Sequence, residues 1–322
     1  MEKNLKLESE VPLPPGASSL TKGNLLVKVE ATSINPVDYK LPEVPLVGRF
    51  LVKTPASPGL DFAGTITSTG PDCGDLTAGT KVFGKLPKPG QYGALGEYII
   101  LPTRCAAPIP TGVNVEDAAT AGVGAMTMYQ AMVPYVKSGD RIFLNGGSGG
   151  TGTFGIQIGK ALGCNVATSC STPNVALCKE LGADLVIDYK QSDIVTELSK
   201  SDQLFDHIVD NVGRTPPIFW QAERYAKPWA RFVQVGVDIG GLVDSIWRPL
   251  WPRLLGGPRL KWKFFNVSDD QECLRKIGQW MEEGKVKAVK DSVFAFEDAP
   301  KAYEKLRTGR AKGKIVVRGA GR

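Results

Sequence analysis

Up to about residue 113 the apolar positions fall in short, nearly alternating runs. Leu25-Leu26-Val27-Lys28-Val29-Glu30-Ala31 reads as a strand, and Pro58-Gly59-Leu60-Asp61-Phe62-Ala63-Gly64-Thr65-Ile66 leads into another. Short strands separated by glycine turns follow, through Gly84, Gly93 and Tyr98-Ile99-Ile100. Residues 1–23 are polar and proline-rich and read as a hairpin edge or a loose lead-in; residues 41–58, with four prolines, read as loop. This all-β segment predicts a partly open barrel. The character changes near Val115: Asp117 to Val136 is rich in alanine and methionine and reads as helical, and from Arg141 strands and helices alternate. Strands are expected near 141–145, 164–169, 185–188, 205–210, 230–235 and 260–266, a spacing that implies a parallel sheet covered by helices. The tail predicts a helix (270–283), a strand (286–295), a helix (297–308) and a last strand at Lys314-Ile315-Val316-Val317. The fold class is therefore α/β, a small barrel combined with a doubly wound parallel sheet.

The most informative stretch is Arg141 to Gly163. The apolar run Ile142-Phe143-Leu144 is followed by a glycine cluster, and then Phe154, Ile158, Ala161 and Leu162 share one helix face. Gly150-Thr151-Gly152-Thr153-Phe154-Gly155 is a G-x-G-x-x-G, and Gly147-Ser148-Gly149-Gly150-Thr151-Gly152 overlaps it. A bend between strand and helix is where a dinucleotide fingerprint belongs. Glycine lets the backbone approach a diphosphate, and the helix N-terminus faces that anion with unpaired amides. An ordinary glycine turn is the plainer reading. Gly146-x-Ser148-x-Gly150 also matches a nucleophile elbow, but that chemistry needs a histidine base, and the sole histidine, His207, lies within an expected strand. A G-x-x-x-x-G-K-[ST] phosphate loop fails, because Ala161 follows Lys160.

Composition narrows the functions. The chain has 322 residues, enough for about two domains. A net charge of +6, spread along the chain, does not argue for nucleic acid and suits a polyanionic cofactor. The six cysteines form no C-x-x-C pair, so zinc is not expected and the metal set is empty. With no signal pattern and no apolar run of bilayer length, a cytoplasmic, reducing location is expected. Between Ile239 and Asn266, Trp247, Trp251 and Trp262 interleave with Arg248, Arg253, Arg259, Lys261 and Lys263. Such a segment can touch an anionic membrane, but prolines at 249, 252 and 258 break any long amphipathic helix. A substrate lid running into a subunit-pairing edge strand is the favoured reading, with the protein a monomer or homodimer.

The order and spacing of several motifs resemble the zinc-independent branch of the medium-chain dehydrogenase/reductase family, the quinone-oxidoreductase-like enzymes. They are Ser33-Ile34-Asn35-Pro36-Val37-Asp38-Tyr39-Lys40, Pro58–Gly64, the glycine stretch, Leu181-Gly182-Ala183-Asp184-x-Val186-Ile187-Asp188-Tyr189 and Gly313–Val317. The resemblance implies a GroES-like partly open β-barrel catalytic domain from both chain ends (1–113 and 268–322) around a Rossmann NADPH-binding domain (114–267). The zinc-dependent branch carries Gly-His-Glu where this chain has Gly59-Leu60-Asp61. Enoyl-thioester reductases of the wider family place a tyrosine after a glycine near here, whereas Gly48 is followed by Arg49 and Phe50, which weakens an acyl-thioester substrate.

The second strand of the expected Rossmann sheet ends Ser169-Cys170-Ser171-Thr172-Pro173-Asn174, without the acid that an NAD site uses to hold the ribose hydroxyls. NADPH is therefore the expected cofactor. The expected contacts are Gly147, Ser148, Gly149, Gly150, Thr151 and Gly152 at the bend and Ser169, Ser171 and Asn174 at the strand end. The resemblance adds Tyr189, Asn211, Val235 with Gly236, Thr127 near the nicotinamide ribose, and Lys314, Arg310 or Lys312 as a source of charge. Tyr189 could instead merely cap the sheet, and Thr127 could bond back to its own helix turn. Asn35, Tyr39 and Lys40 are the candidate catalytic residues; Asn35 could equally be a turn residue before Pro36, and Lys40 a solvated lysine. Without a Lewis acid, hydride delivery to a quinone or an α,β-unsaturated carbonyl is easier than alcohol oxidation. The alternatives are a trans-acting enoyl-thioester reductase and an NADPH-binding cyclase, sensor or scaffold with no redox role.

Overall fold

The computed structural model describes residues 4–44, 48, 52–213, 216–236 and 260–320. They form two compact units, residues 1–126 with 268–322, and residues 127–267.

The first unit is organised by one long strand, β1 (Asn24–Ile34). It is followed by α1 (Pro36–Lys40), β2 (Asp61–Thr69), β3 (Lys81–Lys85), β4 (Tyr98–Pro102) and β5 (Ala106–Pro108). The first half of β1, Asn24–Lys28, pairs with β4, and the whole strand pairs with β2 across two register shifts. Those irregularities let one strand bend and serve partners on both sides, which is how a small sheet curls into a barrel. Leu25, Val27 and Val29 point inward with Phe62, Ile66, Val82, Ile99 and Leu101. Each such side chain contributes roughly 1.5–3 kcal/mol on burial. Residues 4–23 form turns and no strand.

The helix expected over 117–136 is two helices, α2 (Val115–Ala119) and α3 (Val123–Met132). The reason is local: a Cβ on Gly122 would lie 2.4 Å from Asp61 Oδ1 and 2.5 Å from the Gly84 carbonyl oxygen. The chain turns there against β2 and β3, and Asp61 Oδ1 accepts the Val123 amide at 2.6 Å, capping the new helix. Helix α2 packs on β1, β2 and β3, which is why the first unit continues past residue 113 to Met126.

The second unit holds β6 (Arg141–Asn145), α4 (Gly152–Ala161), β7 (Asn165–Cys170), α5 (Val175–Glu180), β8 (Leu185–Asp188), α6 (Ile194–Ser199), β9 (Phe205–Asp210), α7 (Pro216–Trp220), β10 (Ala226–Gln234) and β11 (Lys261–Phe264). The sheet order is β11-β10-β9-β6-β7-β8, all parallel. Strand order reverses between β6 and β9, the switch point at which dinucleotides bind doubly wound sheets. Most of the Trp- and Arg-rich segment lies outside the described residues; its end forms β11, the sheet's edge. The chain then returns to the first unit with α8 (Gln271–Glu282), β12 (Lys290–Phe294), α9 (Ala299–Arg307) and β13 (Lys314–Arg318). Strand β13 runs antiparallel to β1 through Ala31–Ile34 and completes the order β12-β13-β1-β2-β3-β5. The α/β class expected from the sequence, a small barrel and a doubly wound parallel sheet, is the one observed, one in each unit. Among the described residues no helix is long and apolar enough to cross a membrane.

Candidate functional site

The second unit carries the glycine bend at its switch point. Gly146 has φ +85°, and a Cβ there would meet Val212 Cγ2 at 2.8 Å. A Cβ on Gly147 would sit 2.1 Å from Thr168 Oγ1, and one on Gly152 2.1 Å from the Gly146 carbonyl oxygen. Helix α4 therefore starts directly on top of the bend, where the Thr153 amide already donates to the Gly149 carbonyl at 3.0 Å and the Gly155 amide to the Thr151 carbonyl at 2.9 Å. Gly155 and Gly159 let the helix lie close on the sheet, against Met128 and Leu144 and against Ile142 and Val166. Gly149 is different: a Cβ there would have 3.7 Å to its nearest neighbour, so the bend is tight on its inner side and open at Gly149.

Buried hydrogen bonds hold the bend. Ser169 is fully buried; its Oγ accepts the Gly146 amide at 3.0 Å and donates to Asn145 Oδ1 at 2.6 Å. Asn145 Nδ2 donates to Asp210 Oδ1 at 2.8 Å, and the same oxygen accepts the amides of Val212 and Gly213. Ser169 thus supports the cradle from beneath. Ser148, Ser171 and Asn174 are brought together at its rim, where Asn174 Nδ2 donates to Ser148 Oγ at 3.0 Å and to Ser171 Oγ at 3.2 Å. Asn174 Oδ1 is buried without a partner, as are both amide atoms of Asn211 beyond β9. Unmet polar atoms at the strand ends are what a hydrogen-bonding ligand satisfies. The amides of Val235 and Gly236 both donate to the Asp210 carbonyl, at 2.9 and 3.0 Å. Thr127 is buried in α3. Tyr189 is exposed; its amide donates to the Cys170 carbonyl at 3.1 Å, and Lys190 Nζ lies 5.6 Å from its ring centroid. Lys190, which sequence reasoning missed, therefore puts a cation one residue beyond Tyr189. Its signal was its place two residues after the expected strand 185–188.

The first unit carries a second polar constellation. Asn35, Asp38, Asp61 and Lys314 are all buried. Lys314 Nζ donates to Asp61 Oδ2 at 3.0 Å and to Asn35 Oδ1, while Asn35 Nδ2 donates to Asp61 Oδ2 at 2.9 Å and to the Ser33 carbonyl at 3.2 Å. Lys314 is thus engaged with Asp61 and Asn35 inside the barrel unit, whereas Arg310 and Lys312 are exposed. Asp38 Oδ2 accepts the Asn35 amide at 2.7 Å, closing the first turn of α1. Its Oδ1 is buried, and the buried Tyr303 hydroxyl beside the carboxyl steadies its ionised form. Burial pushes Asp38 up to about 7; the nearby Asp61 carboxylate adds to the rise, and the Asn35 amide and Lys314 oppose it. Tyr39 is half-buried beneath the Arg307 guanidinium, 4.2 Å from its ring centroid, and Lys40 is half-buried. Asp38 and Asp61 were passed over as site residues, although a carboxylate between Leu60 and Phe62 is itself a sign of a buried, paired charge.

Two other chemistries find no support in the residues. His207 is fully buried, donates Nε2–H to the Ala131 carbonyl at 2.9 Å, and is pushed down to about 4 by burial. Ser148 is bonded to Asn174, so no serine–histidine pair forms. Among the described residues no three His, Cys, Asp or Glu side chains converge as a metal site. All six cysteines are buried free thiols, and burial pushes those of Cys105, Cys164, Cys170 and Cys178 up, away from the thiolate that binds zinc. This donor set does not fit zinc.

Comparison with known proteins places the chain. Residues 21–111 match the alcohol dehydrogenase GroES-like domain and residues 181–317 the zinc-binding dehydrogenase domain. A trans-enoyl reductase of Aspergillus terreus is 49% identical, the match covering 99% of this chain and 92% of that protein. A 2-methylene-furan-3-one reductase of Solanum lycopersicum is 32% identical over 97% of this chain and 75% of its own. The structure of the quinone oxidoreductase from Coxiella burnetii superposes with a TM-score of 0.83 at 26% identity, covering 98% of this chain and 95% of that one.

Proposed function

This chain belongs to the medium-chain dehydrogenase/reductase family, and on that premise we propose that it is an NADPH-dependent reductase of quinones or α,β-unsaturated carbonyls. The observation that carries the reading is the bend that is tight at Gly146, Gly147 and Gly152 yet open at Gly149, ahead of a helix N-terminus. A diphosphate needs close backbone approach at the positive end of a helix. NADPH, when bound, supplies a hydride. The Gly147–Gly152 bend would hold its diphosphate and the rim formed by Ser148, Ser171 and Asn174 its adenosine end. No acid ends β7, and Tyr189 with Lys190 beside the rim suits a 2′-phosphate better than a free ribose hydroxyl. Asn211, Val235 and Gly236 line the switch point, where the nicotinamide would be oriented.

The substrate class follows from the chemistry of the acceptor. A conjugated carbonyl spreads the incoming negative charge onto its oxygen, so positioned hydrogen-bond donors suffice to stabilise it. The relatives named for enone and quinone reduction support this class. A second reading, reduction of an enoyl thioester, is favoured by the 49% identity to the trans-enoyl reductase. The test is NADPH and NADH oxidation with a panel of enones, quinones and enoyl thioesters. Preferential NADPH consumption with an enone or quinone is expected. Tight NADPH binding with no acceptor reduced would support the non-redox reading instead.

A further inference from the structure

The central strands of the second unit end on polar side chains, where a sheet covered on both faces normally carries apolar ones. Asn145, Asp210 and Gln234 stand opposite one another across β6, β9 and β10, and Ser169 of β7 bonds to Asn145. All four residues are at most 2% exposed. Asp210 is the centre of the row. Its Oδ1 accepts three N–H groups, Asn145 Nδ2 at 2.8 Å and the amides of Val212 and Gly213 at 3.0 Å each. Its main-chain carbonyl accepts two more, from Val235 and Gly236. One residue thus ties together the ends of β6, β9 and β10, on both sides of the point where strand order reverses. The glycine bend begins one residue after Asn145, and Asn211 follows Asp210. The fit there has no slack: a Cβ on Gly236 would lie 2.2 Å from the Asn211 carbonyl oxygen. The Asn211 carboxamide is buried with neither of its polar atoms bonded. A satisfied buried polar network admits one arrangement of the backbone around it, which an apolar row would not impose.

We propose that Asp210 is a positioning residue for the nicotinamide end of the cofactor. It acts through its neighbours: its side chain holds the 211–213 turn against Asn145, and its carbonyl holds Val235 and Gly236. The wall that would orient the nicotinamide is thereby fixed relative to the bend that would grip the diphosphate. A cofactor held at one end then presents its ring at one place, which hydride transfer requires. The bend itself has separate support, because Ser169 Oγ accepts the Gly146 amide and the Ser169 carbonyl accepts that of Gly147. Loss of the Asp210 side chain therefore loosens the nicotinamide wall more than the diphosphate cradle. The identity of the ligand as NADPH rests on the reading given under the proposed function; the polar row does not.

The test reads the two ends of the cofactor separately. The full-length wild type, Asp210→Ala and Asp210→Asn, each checked for native circular dichroism, are titrated by calorimetry with NADPH and with 2′,5′-ADP, which carries the adenosine phosphates and no nicotinamide. Asp210→Ala should hold 2′,5′-ADP within about twofold of the wild type while NADPH weakens about tenfold. Asp210→Asn keeps an oxygen for the three N–H groups and should bind NADPH within about twofold of the wild type. Asp210→Ser, whose shorter hydroxyl cannot serve all three, carries the same expectation as the alanine variant if that one does not fold. Equal weakening of both ligands, unchanged NADPH affinity in Asp210→Ala, or an Asp210→Asn as weak as Asp210→Ala would overturn the proposal. The expected split with no acceptor reduced would sink the reductase reading and leave Asp210 in this role. A wild type that binds 2′,5′-ADP and NADPH equally well would overturn the positioning role and leave the cofactor reading standing.

Discussion

Lys314 Nζ and Asp61 Oδ2 lie 3.0 Å apart, with the lysine side chain 3% and the aspartate 0% exposed. The pair joins the last strand of the chain, β13, to the start of β2, and Asp61 in turn caps α3 through Val123. Asn35 bonds both charges, accepting from Lys314 through Oδ1 and donating to Asp61 through Nδ2. Removing one partner leaves the other charge buried and alone. Lys314→Met and Asp61→Asn should each therefore destabilise the protein by about 3–5 kcal/mol in denaturant unfolding. The double substitution should lose less than the sum of the two. Additive losses would show that the pair is not coupled.

Gly147→Ala and Gly149→Ala should part company. The first places a methyl 2.1 Å from Thr168 Oγ1, so the bend must shift and stability must fall. The second has 3.7 Å of room and should fold normally, but on the proposed reading its methyl would stand where the diphosphate approaches. Its melting temperature should stay near the wild-type value while NADPH affinity, read by calorimetry, drops by at least about tenfold. Unchanged affinity in Gly149→Ala would place the diphosphate elsewhere.

Cofactor choice should hinge on the end of β7 and on Lys190. Lys190→Ala should lower kcat/KM for NADPH by roughly tenfold or more and leave NADH nearly untouched, because only the 2′-phosphate loses a cation. Ser171→Asp should shift the ratio the same way by adding repulsion. Parallel losses with both cofactors would mean that these residues do not read the phosphate.

Asp38 makes stability depend on pH in an unusual direction. Its folded pKa, about 7, lies above the ordinary 3.8 of the unfolded chain. Between those values the folded state holds more protons than the unfolded state, so stability falls as pH rises. The contribution is fully present below about pH 4 and is lost as pH passes through about 7, a swing on the order of a few kcal/mol. Asp38→Asn, which keeps the acceptor for the Asn35 amide, should remove this slope. Its melting temperature should therefore gain on the wild type at about pH 8 relative to about pH 5. Identical pH slopes for the two proteins would contradict the buried neutral acid.

The sequence announced the frame through its periodicities. Alternation in Leu25–Ala31 and the strand–glycine–helix run from Arg141 are local signals, and the strands followed them. The break at Gly122 was hidden because alanine and methionine continue the helical pattern on both sides. What stops the helix is the side chain of Asp61, about sixty positions away in sequence. The burial of Lys314 is hard to read for a related reason. A lysine in a terminal strand looks like surface charge until the fold closes β13 against β1 and buries it beside Asp61. The meeting of Asn174 and Ser171 with Ser148 follows from a motif with a fixed place in the sheet. Asp38 follows Asn35 by three residues, yet only the fold buries it beside Asp61 and Tyr303.

Isotope transfer tests the central claim most directly. The protein is given NADPH deuterated on the transferable position of C4, and an enone such as cyclohexenone, and the product is analysed by mass spectrometry and NMR. Hydride delivery from a cofactor held by the Gly147–Gly152 bend predicts one deuterium at the β-carbon of the saturated ketone, with the label lost in Gly149→Ala at limiting NADPH. A β-carbon free of deuterium in the reduced product, or no reduced product from any enone or quinone while NADPH is bound, would contradict it.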